Sequence, residues 1–460
     1  MKLPFLNRRR EIRRLRRLIE HQETTLGVVY GRRRCGKSRL LRESLPEDRT
    51  VYYVGDDRES PLQRASLAQE IDRLLPGFGR VTYPDWSILL DRWWAEAPEG
   101  SILVIDEFPA LVATARELPS LLQKCLDREG PKPLHLLLSG SSQRMMEGLV
   151  LDRSAPLYGR ALEILKIEPL EAGWIKEALG VDGATALEEY SVWGGVPRYW
   201  ELAADHENLN DAVFTHVLNP LGILYDEPQR LLLDDLRDTS QAASILSLIG
   251  RGCHRISEIA GRLGKPASSL ARPMRRLTDM GLVEREVPFG VPPQSSKRSL
   301  YKIADPFLRF WFRFVEPNRS LLEARQMERV ARDVSARFAQ HAGEAWEELA
   351  RGSVLRSNAF DKPWGPAGRW WGSGVDRTPL EIDLMAETAE GDVLVGEVKW
   401  TESPDIDRIF WDLRRRAENL PRAQGQEIHL GLWCREPAER SSKAGDEHIF
   451  TPRDVLAVMR

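Results

Sequence analysis

Several features that define other classes of protein are scarce in this sequence of 460 residues. The four cysteines, Cys35, Cys125, Cys253 and Cys434, are isolated and have neither the spacing of metal ligands nor that of a redox pair. The expected location is therefore the reducing cytoplasm. No apolar run approaches the length that spans a bilayer, so no association with a membrane is expected.

A large net charge is also absent. The formal charge is −3 although 29% of the residues are charged, so any basic surface for nucleic acid must be local. The arginine-rich residues 1–20 lack the apolar core of a signal peptide, and their two glutamates are atypical of a transit peptide. Ile12, Leu15, Leu18 and Ile19 recur at helical spacing, which predicts a docked helix with a basic exposed face.

The most informative stretch is a glycine-rich loop in which Gly31 and Gly36 bracket four residues and Lys37 and Ser38 follow. An apolar run precedes it and a helical pattern follows it, a context that an ordinary glycine turn lacks. The spacing predicts that backbone N–H groups cradle the phosphates of ATP, that Lys37 reaches the β- and γ-phosphates and that Ser38 binds Mg²⁺. The predicted nucleotide-binding residues of the loop are Gly31, Arg32, Arg33, Arg34, Cys35, Gly36, Lys37, Ser38 and Arg39.

Three later segments extend the predicted nucleotide site. The apolar run 102–105 ends in Asp106, which is expected to hold Mg²⁺ through water, and Glu107, which is expected to polarise the attacking water. The apolar run 134–138 leads to Ser139 and, within the segment 139–142, to two further serines, and a hydroxyl there could sense the γ-phosphate or belong to a small-residue turn. Arg160 could reach the phosphates of its own or a neighbouring subunit, or be a surface arginine.

These motifs make the first half of the chain resemble the archaeal-type ATPase family, which belongs to the STAND branch of AAA+-like P-loop ATPases. The resemblance is carried by the loop and by residues 5–8, Glu11, 104–109, 158–160 and 194–197, which follow the family's order. It implies that residues 5–8 lie near the adenine. It also implies that the Gly-Gly-Val-Pro segment at 194–197 connects a helical lid to the nucleotide state.

The middle of the chain resembles a winged helix-turn-helix. Three helical patterns between residues 242 and 280 precede two strands, 281–287 and 300–303, that flank a loop. Pro273 is expected to kink the third helix, and winged helices in STAND-type ATPases also serve as packing modules. The candidate DNA contacts are Arg272, Arg275 and Arg276 on the third helix, with Lys297 and Arg298 in the wing.

The C-terminal part resembles the PD-(D/E)xK nuclease superfamily, as found in the domain of unknown function that commonly ends archaeal-type ATPases. Asp383, on one predicted strand, and Glu397 and Lys399, on the next, are expected to share a sheet face. The predicted Mg²⁺ ligands are Asp383, Glu397 and the Val398 carbonyl, while Lys399 orients the hydrolytic water and Glu347 matches the helix-borne acid. The spacing alone would equally suit a salt-bridged hairpin.

A basic helix is predicted after this cluster, over residues 405–420. It could follow DNA or simply face solvent. The arginines of this helix are Arg408, Arg414, Arg415 and Arg416.

The expected fold class is therefore a multidomain α/β protein. Alternating strands and helices predict a P-loop core with a parallel sheet covered on both faces, and the length requires further domains. A long helix is predicted over residues 318–351. The expected divisions are a P-loop ATPase core (1–168), a helical lid (169–238), a winged helix (239–304), a connecting helical segment (305–340) and a restriction-endonuclease-like α/β domain (341–460).

Two functions fit these features best. The first is an ATP-hydrolysing, Mg²⁺-dependent STAND-type switch that is coupled to a nuclease-like effector acting on DNA. The alternative is a regulatory ATPase whose nuclease fold is inactive and which gates the binding of DNA or a partner protein. A ring-forming motor with Arg160 acting across subunits of a homo-oligomer is a third possibility.

Overall fold

The computed structural model describes residues 3–128, 132–236, 239–292, 298–436 and 447–460. The chain forms two compact units. The N-terminal unit consists of residues 7–169 with the short segment 233–237, and the C-terminal unit consists of residues 1–6, 170–232 and 238–460. Among the helices in the described ranges, none is both long and apolar enough to cross a lipid bilayer.

A five-stranded parallel sheet forms the centre of the N-terminal unit. Its strands are β1 (Thr25–Tyr30), β2 (Thr50–Val54), β3 (Ile102–Asp106), β4 (His135–Gly140) and β5 (Ala161–Lys166). Their order is β2-β3-β4-β1-β5, and every neighbouring pair is parallel. All residues of β1, β3 and β4 are buried because these central strands are covered on both faces. The predicted α/β fold with a parallel sheet is confirmed.

Helices pack on the two faces of this sheet. Leu26 and Val28 of β1 belong to an apolar cluster with Trp86 and Trp93, whereas Gly27, on the other face, lies against Leu18. Leu18 is in the first helix, whose apolar side is buried as its helical spacing predicts. The helices are α1 (Arg9–Ile19), α2 (Lys37–Ser44), α3 (Ser60–Asp72), α4 (Trp86–Glu96), α5 (Phe108–Thr114), α6 (Leu118–Leu126) and α7 (Gln143–Met146).

Strand β5 is absent from the sequence prediction. It lies at the edge of the sheet, beside β1. Leu162 and Ile164 are exposed there, so the apolar residues of β5 do not mark a buried strand. An edge strand with one wet face gives a weaker sequence signal than the continuous apolar runs of β1, β3 and β4.

The C-terminal unit begins with short helices and continues into the predicted winged-helix region. Helices α8 to α12 are Ile175–Leu179, Gly183–Trp193, Pro197–Ala203, Leu209–Val213 and Glu227–Asp235. Helices α13 (Thr239–Gly250), α14 (Ile256–Arg262) and α15 (Ala271–Asp279) then precede the antiparallel strands β6 (Val283–Glu286) and β7 (Leu300–Ile303). Three helices followed by a hairpin is the order that the sequence predicts.

Pro273 does not kink a helix, contrary to the prediction. The expected single helix is divided into a 3₁₀ turn, Ala267–Leu270, and helix α15, which begins at Ala271. Pro273 therefore occupies the first turn of α15, where a missing N–H removes no intrahelical hydrogen bond. Arg272, Arg275 and Arg276 are exposed on α15, while Met274 and Leu277 are buried.

A second, mixed sheet occupies the end of the chain. Its strands are β8 (Gly368–Ser373), β9 (Pro379–Glu387), β10 (Val393–Lys399), β11 (Ile428–Cys434) and β12 (Glu447–Phe450), in the order β12-β11-β10-β9-β8. Strands β8, β9 and β10 are antiparallel, whereas β10, β11 and β12 are parallel. The remaining helices are α16 (Pro306–Phe310), α17 (Arg319–Glu323), α18 (Met327–Val354), α19 (Ile406–Glu418) and α20 (Pro452–Val458).

The helix predicted over residues 318–351 is interrupted. Helix α17 ends at Glu323 and α18 begins at Met327, with Arg325 at a φ of 59° between them. A left-handed residue cannot continue a right-handed helix, so the chain turns at this point. Trp346, in the middle of α18, is fully buried and donates to the Trp433 carbonyl on β11 at 3.3 Å.

The Gly-Gly-Val-Pro segment at 194–197 interrupts the helical conformation between α9 and α10, as predicted. The Leu170 N–H donates to the Gly195 carbonyl at 2.7 Å, and a Cβ atom at Gly195 would lie 1.9 Å from the Leu170 oxygen. Residues 170–232 belong to the C-terminal unit. A lid role for this helical region stays a prediction.

We expect Gly195→Ala to destabilise the C-terminal unit because the new methyl group must displace a hydrogen-bonded backbone. Overpacking of this kind costs about 1–3 kcal/mol. Gly261→Ala is the matched control, since Gly261 lies in α14 with open space around its Cα atom, and it should be neutral or slightly stabilising. Urea unfolding followed by circular dichroism measures both variants, and equal midpoints would contradict the packing argument.

Candidate functional site

The glycine-rich loop connects β1 to α2. Gly31 has a φ of 143° and Gly36 a φ of 90°, and helix α2 begins at Lys37. A Cβ atom on Gly31 would lie 2.4 Å from the Ile167 oxygen, so only glycine fits this position. The loop therefore has the strand–loop–helix context that phosphate binding requires.

Lys37 is held inside its own loop. Its ammonium donates to the Gly31 carbonyl at 2.8 Å and to the Arg32 carbonyl at 3.1 Å. Burial lowers the pKa of Lys37, whereas the nearby Glu107 raises it. The two carbonyls compensate a largely desolvated cation in the absence of phosphate.

Ser38 and Asp106 meet at the end of β3. Asp106 is 2% exposed, and it accepts from the Ser38 hydroxyl at 2.6 Å and from the Tyr52 hydroxyl at 2.5 Å. The guanidinium of Arg42 lies over the Tyr52 ring, 4.0 Å from its centroid. Burial and the Asp106 carboxylate raise the pKa of Tyr52, so its hydroxyl is a stable donor. Sequence reasoning does not identify Tyr52, because its hydrogen bond to Asp106 depends on β2 lying beside β3.

Glu107 is oriented by the loop after β4. It has a φ of 51° and caps α5, and its carboxylate accepts from the Ser141 N–H at 3.2 Å and from the Ser141 hydroxyl. The contact with Glu107 belongs to Ser141, two residues beyond the predicted Ser139. Ser139 lies inside β4, and its buried hydroxyl has no hydrogen-bond partner in the part of the chain that the structure describes.

Arg160 lies at the opposite end of the sheet from the loop. It precedes β5, whose first residue, Ala161, is aligned with Leu26 near the start of β1, whereas the glycine-rich loop follows the end of β1. Its guanidinium forms two hydrogen bonds of 2.8 Å with Asp127. The prediction that Arg160 reaches the phosphates of its own chain is therefore not supported, whereas a contact with the phosphates of a neighbouring subunit stays a prediction.

Arg8 contacts the backbone of the glycine-rich loop. This buried arginine donates to the Cys35 carbonyl at 3.2 Å and to the Glu168 carbonyl at 2.6 Å, and it pairs with Glu11. These bonds join the loop to the segment that follows β5. The structure thus gives Arg8 a loop contact, while the adenine contact implied for residues 5–8 stays a prediction.

A second candidate site lies on β9 and β10 of the C-terminal unit. Gly368 pairs with Met385 and Trp370 pairs with Ile382, so two steps along β8 match three steps along β9, and β9 contains a bulge at this point. Asp383 lies within the bulge, and its carboxylate accepts from the Val398 N–H at 3.0 Å. Burial and the neighbouring Glu397 raise the pKa of Asp383 to about 6.

Glu397 is buried between two cations. Its carboxylate lies 2.6 Å from the Lys399 ammonium and 2.7 Å from the Arg416 guanidinium. Burial alone would lower the pKa of Lys399, but the hydrogen bond with Glu397 raises it above its ordinary value. The sequence predicts Arg416 only as one of the arginines of a basic helix. In the structure, Arg416 extends from α19 and contacts Glu397.

Glu347 is linked to the cluster indirectly. It pairs with Arg351 at 3.4 Å on α18, and Arg351 donates to the Asp383 carbonyl at 3.0 Å. Among the described residues, the carboxylates of Glu347, Asp383 and Glu397 do not form a group whose oxygens all lie within 4.8 Å of one another. Asp383, Glu397 and Lys399 are thus brought together as predicted, and Glu347 remains one arginine away.

The wing of the winged-helix region contacts the same domain. The Phe289 N–H donates to the Arg369 carbonyl of β8 at 2.8 Å, and the Phe289 ring packs against the core beneath β8 to β11. Glu286 of the wing pairs with Lys302 at 2.8 Å and lines a cavity of about 370 Å³ with Arg351 and Arg369. The predicted wing contact Lys297 lies outside the described residues.

The N-terminal geometry defines a class of protein. A parallel sheet, a glycine-rich loop between β1 and α2 and an acidic pair after the central strand β3 together characterise a P-loop nucleoside triphosphatase. Residues 5–196 match a family described as an ATPase domain predominantly from Archaea. This part of the chain therefore matches a family of archaeal ATPase domains, in agreement with the predicted resemblance.

Further comparisons concern the C-terminal part of the chain and longer stretches of it. Residues 311–409 match a family described as archaeal and bacterial proteins of unknown function. An uncharacterized protein of Methanocaldococcus jannaschii is 28% identical over 422 residues, which cover 90% of this chain and 92% of that protein. The Walker-type ATPase of Pyrococcus abyssi is 21% identical with a TM-score of 0.49, covering 67% of this chain and 96% of that one. The ORC2 protein of Aeropyrum pernix is 15% identical with a TM-score of 0.43, covering 70% and 96%.

We expect Tyr52→Phe to lower the rate of ATP hydrolysis by about threefold to tenfold, because Asp106 loses one buried hydrogen-bond donor worth about 1 kcal/mol. The adjacent Tyr53→Phe is the matched control, since the Tyr53 hydroxyl donates to Gln63 and not to Asp106. Steady-state phosphate release measures both variants. An equal loss of rate in the two would assign the effect to general destabilisation.

Asp383→Asn is expected to remove a pH-dependent loss of stability. Because folding raises the pKa of Asp383 from 3.8 to about 6, the folded state binds more protons than the unfolded state between these values. The free energy of unfolding of the wild type should therefore fall, relative to that of the variant, by roughly 1–3 kcal/mol as the pH rises through this interval. Urea titrations in EDTA measure the difference, and a difference independent of pH would contradict the assignment.

Proposed function

We propose that this chain is an ATP-hydrolysing switch of the STAND type whose C-terminal unit carries a Mg²⁺-dependent nuclease-like site for DNA. The observation that carries the proposal is the cluster of Asp383, Glu397 and Lys399 at a strand bulge, in a chain that also contains an ATPase domain. The expected divisions at residues 168, 238, 304 and 340 remain part of this proposal.

In the nucleotide site, Mg²⁺–ATP fits the donors that are present. The Ser38 hydroxyl and the Asp106 carboxylate are oxygen ligands in direct contact with each other, as hard cations prefer. Lys37 would exchange the Gly31 and Arg32 carbonyls for phosphate oxygens. Glu107 would orient the attacking water once the nucleotide is bound, which requires its bonds to Ser141 to rearrange. The other loop residues act through their backbone N–H groups.

In the C-terminal site, the oxygen ligands for a second Mg²⁺ would be Asp383, Glu397 and the Val398 carbonyl. Mg²⁺ keeps several waters and needs few protein carboxylates, so two suffice. The ion would stabilise developing negative charge on a phosphodiester. Lys399 would hold the attacking water, and Arg416 would move from Glu397 towards a phosphate group. A guanidinium suits this exchange because carboxylates and phosphates offer it similar pairs of acceptors.

DNA would be held mainly by helix α15. Arg272, Arg275 and Arg276 are exposed on one helix and, within the described part of the chain, none has an ion-pair partner. Uncompensated arginines at this spacing suit phosphate contacts. The packing of Phe289 against β8 favours a structural role for the base of the wing. Arg298 is not needed for this proposal.

The alternative function is a regulatory ATPase whose nuclease-like fold is inactive and which gates the binding of DNA or of a partner protein. One observation favours it specifically. Both oxygens of Glu397 are paired with cations of the chain itself, and Glu347 is paired with Arg351. A cluster that is neutralised internally can serve as a structural ion-pair network.

The two functions differ in a cleavage assay with four proteins. The wild type is expected to cut DNA in the presence of Mg²⁺ in a nucleotide-dependent manner, and Glu397→Gln should cut at least about a hundredfold more slowly while retaining ATP hydrolysis. Lys37→Ala should lose ATP hydrolysis and the nucleotide dependence of cutting. Glu402→Gln, which changes an exposed carboxylate paired with Arg435, is the matched control.

DNA cutting in this assay distinguishes the two functions. Cutting that is abolished by Glu397→Gln but not by Glu402→Gln supports the nuclease. Cutting by none of the four proteins, combined with nucleotide-dependent DNA binding in a gel-shift experiment, supports the regulatory alternative. ATP hydrolysis that survives Lys37→Ala would contradict the nucleotide half of both proposals.

A further inference from the structure

A different group of potential ligands lies at the other ends of β10 and β11. Asp392 precedes β10, Glu427 precedes β11, and His429 is the second residue of β11. The parallel pairing of these strands aligns Leu394 with His429, and the Val393 N–H donates to the Glu427 carbonyl at 2.9 Å. One nitrogen and two carboxylate oxygens, one from each side chain, all lie within 4.8 Å of one another. Backbone pairing thus fixes the group independently of the Glu397 cluster.

This group is separate from the nuclease-like site. Glu397 is five residues beyond Asp392, a distance of roughly 16 Å along an extended strand. Its side chain also points to the opposite face, because residues an odd number apart on a regular strand alternate. No ligand of one site can therefore serve the other.

Within the described ranges, the buried imidazole of His429 has ring nitrogens without hydrogen-bond partners, which an ordinary ion pair does not explain. It is 7% exposed, and neither ring nitrogen has a hydrogen-bond partner among the described residues. Nε2 lies 3.2 Å from the Glu427 carboxylate without the direction of a hydrogen bond. The rings of Phe360 and Trp364 pack on it, with centroid separations of 4.9 and 5.6 Å. Buried polar groups are nearly always paired, so an imidazole aimed at two carboxylates lacks a partner.

The charge of the group is also incomplete. Lys362 donates to Asp392 at 2.9 Å and lies 3.5 Å from Glu427. One ammonium neutralises only one of the two carboxylates, and its hydrogen bond goes to Asp392, while both ring nitrogens of His429 stay without a hydrogen-bond partner among the described residues. A divalent cation would balance both carboxylates and accept the imidazole lone pair as well.

We propose that Asp392, Glu427 and His429 bind a divalent transition-metal ion and that Lys362 takes the place of the ion when none is bound. One imidazole with two carboxylates is a ligand set that Zn²⁺ accepts in tetrahedral sites, with a fourth position left for water or another ligand. Mg²⁺ prefers oxygen ligands only and is expected to bind this set poorly. The site is independent of the proposed nuclease function.

Co²⁺ is a suitable probe because its visible spectrum reports nitrogen ligation and geometry. The metal-free full-length protein, carrying Glu397→Gln to silence the other cluster, is titrated with Co²⁺ in the presence of excess Mg²⁺. We expect saturable binding that Zn²⁺ displaces. His429→Gln should weaken binding at least about tenfold, whereas Lys362→Met should strengthen it by about tenfold, since the competing ammonium is gone.

A second histidine pair provides the control for adventitious binding. His206 and His216 lie elsewhere in the C-terminal unit, with their Nε2 atoms 2.9 Å apart. His216→Gln should leave the Co²⁺ spectrum unchanged. Loss of the spectrum in His216→Gln but not in His429→Gln would overturn the proposal, and so would the absence of binding in both the parent protein and Lys362→Met. Thermal melting without metal establishes whether each variant is folded. If His429→Gln does not fold, Lys362→Met still tests the site.

Discussion

Both candidate sites of this chain depend on the cost of burying charge without a partner. Lys37 is desolvated by its loop and is satisfied by two carbonyl groups of the same loop. Glu397 is buried in the second sheet and is satisfied by Lys399 and Arg416. An uncompensated charge at either place would cost several kcal/mol or more. In each site the protein itself therefore supplies the partners that a ligand can replace.

This constraint determines what ligand binding can achieve. A phosphate that reaches Lys37 gains a strong charge-assisted contact but must displace two existing hydrogen bonds. The net free energy of phosphate binding at Lys37 is the difference between the contact with phosphate and the two hydrogen bonds that it replaces. The exchange of these hydrogen bonds can shift the conformation of the loop. Arg8 is placed to transmit such a change, since it holds the Cys35 carbonyl of the loop and the Glu168 carbonyl beyond β5.

The parts of the structure that sequence reasoning predicted are those encoded by short, continuous patterns. The central strands of the first sheet are unbroken apolar runs, and the phosphate-binding loop has fixed spacing between two glycines and a lysine. Asp383, Glu397 and Lys399 were placed on one face because strand periodicity makes that prediction without knowledge of the whole fold. The order of helices and hairpin in the winged-helix region is likewise local.

The parts that were missed depend on tertiary register. Tyr52 contacts Asp106 only because β2 lies beside β3, and Ser141 replaces Ser139 because β4 extends two residues further than its apolar run. The motif around Arg160 predicts a contact with nucleotide phosphates. Because Arg160 precedes the unpredicted strand β5, it lies at the other end of the sheet from the glycine-rich loop. Side chains that complete a site from a neighbouring element leave no spacing signal in one sequence.

Arg416 shows how such a missed residue changes the chemical argument. A guanidinium does not lose its proton in a protein, so raising the pH cannot release Glu397 from Arg416. As long as Glu397 is ionised, its release requires a competing cation at Glu397 or a competing anion at Arg416. In the proposed nuclease, Mg²⁺ would supply the first and a DNA phosphate the second, and each would make the other exchange more favourable because it leaves a partner uncompensated. In the proposed nuclease, metal and substrate would therefore bind cooperatively, and the internal ion pair would keep the site inactive until both are present.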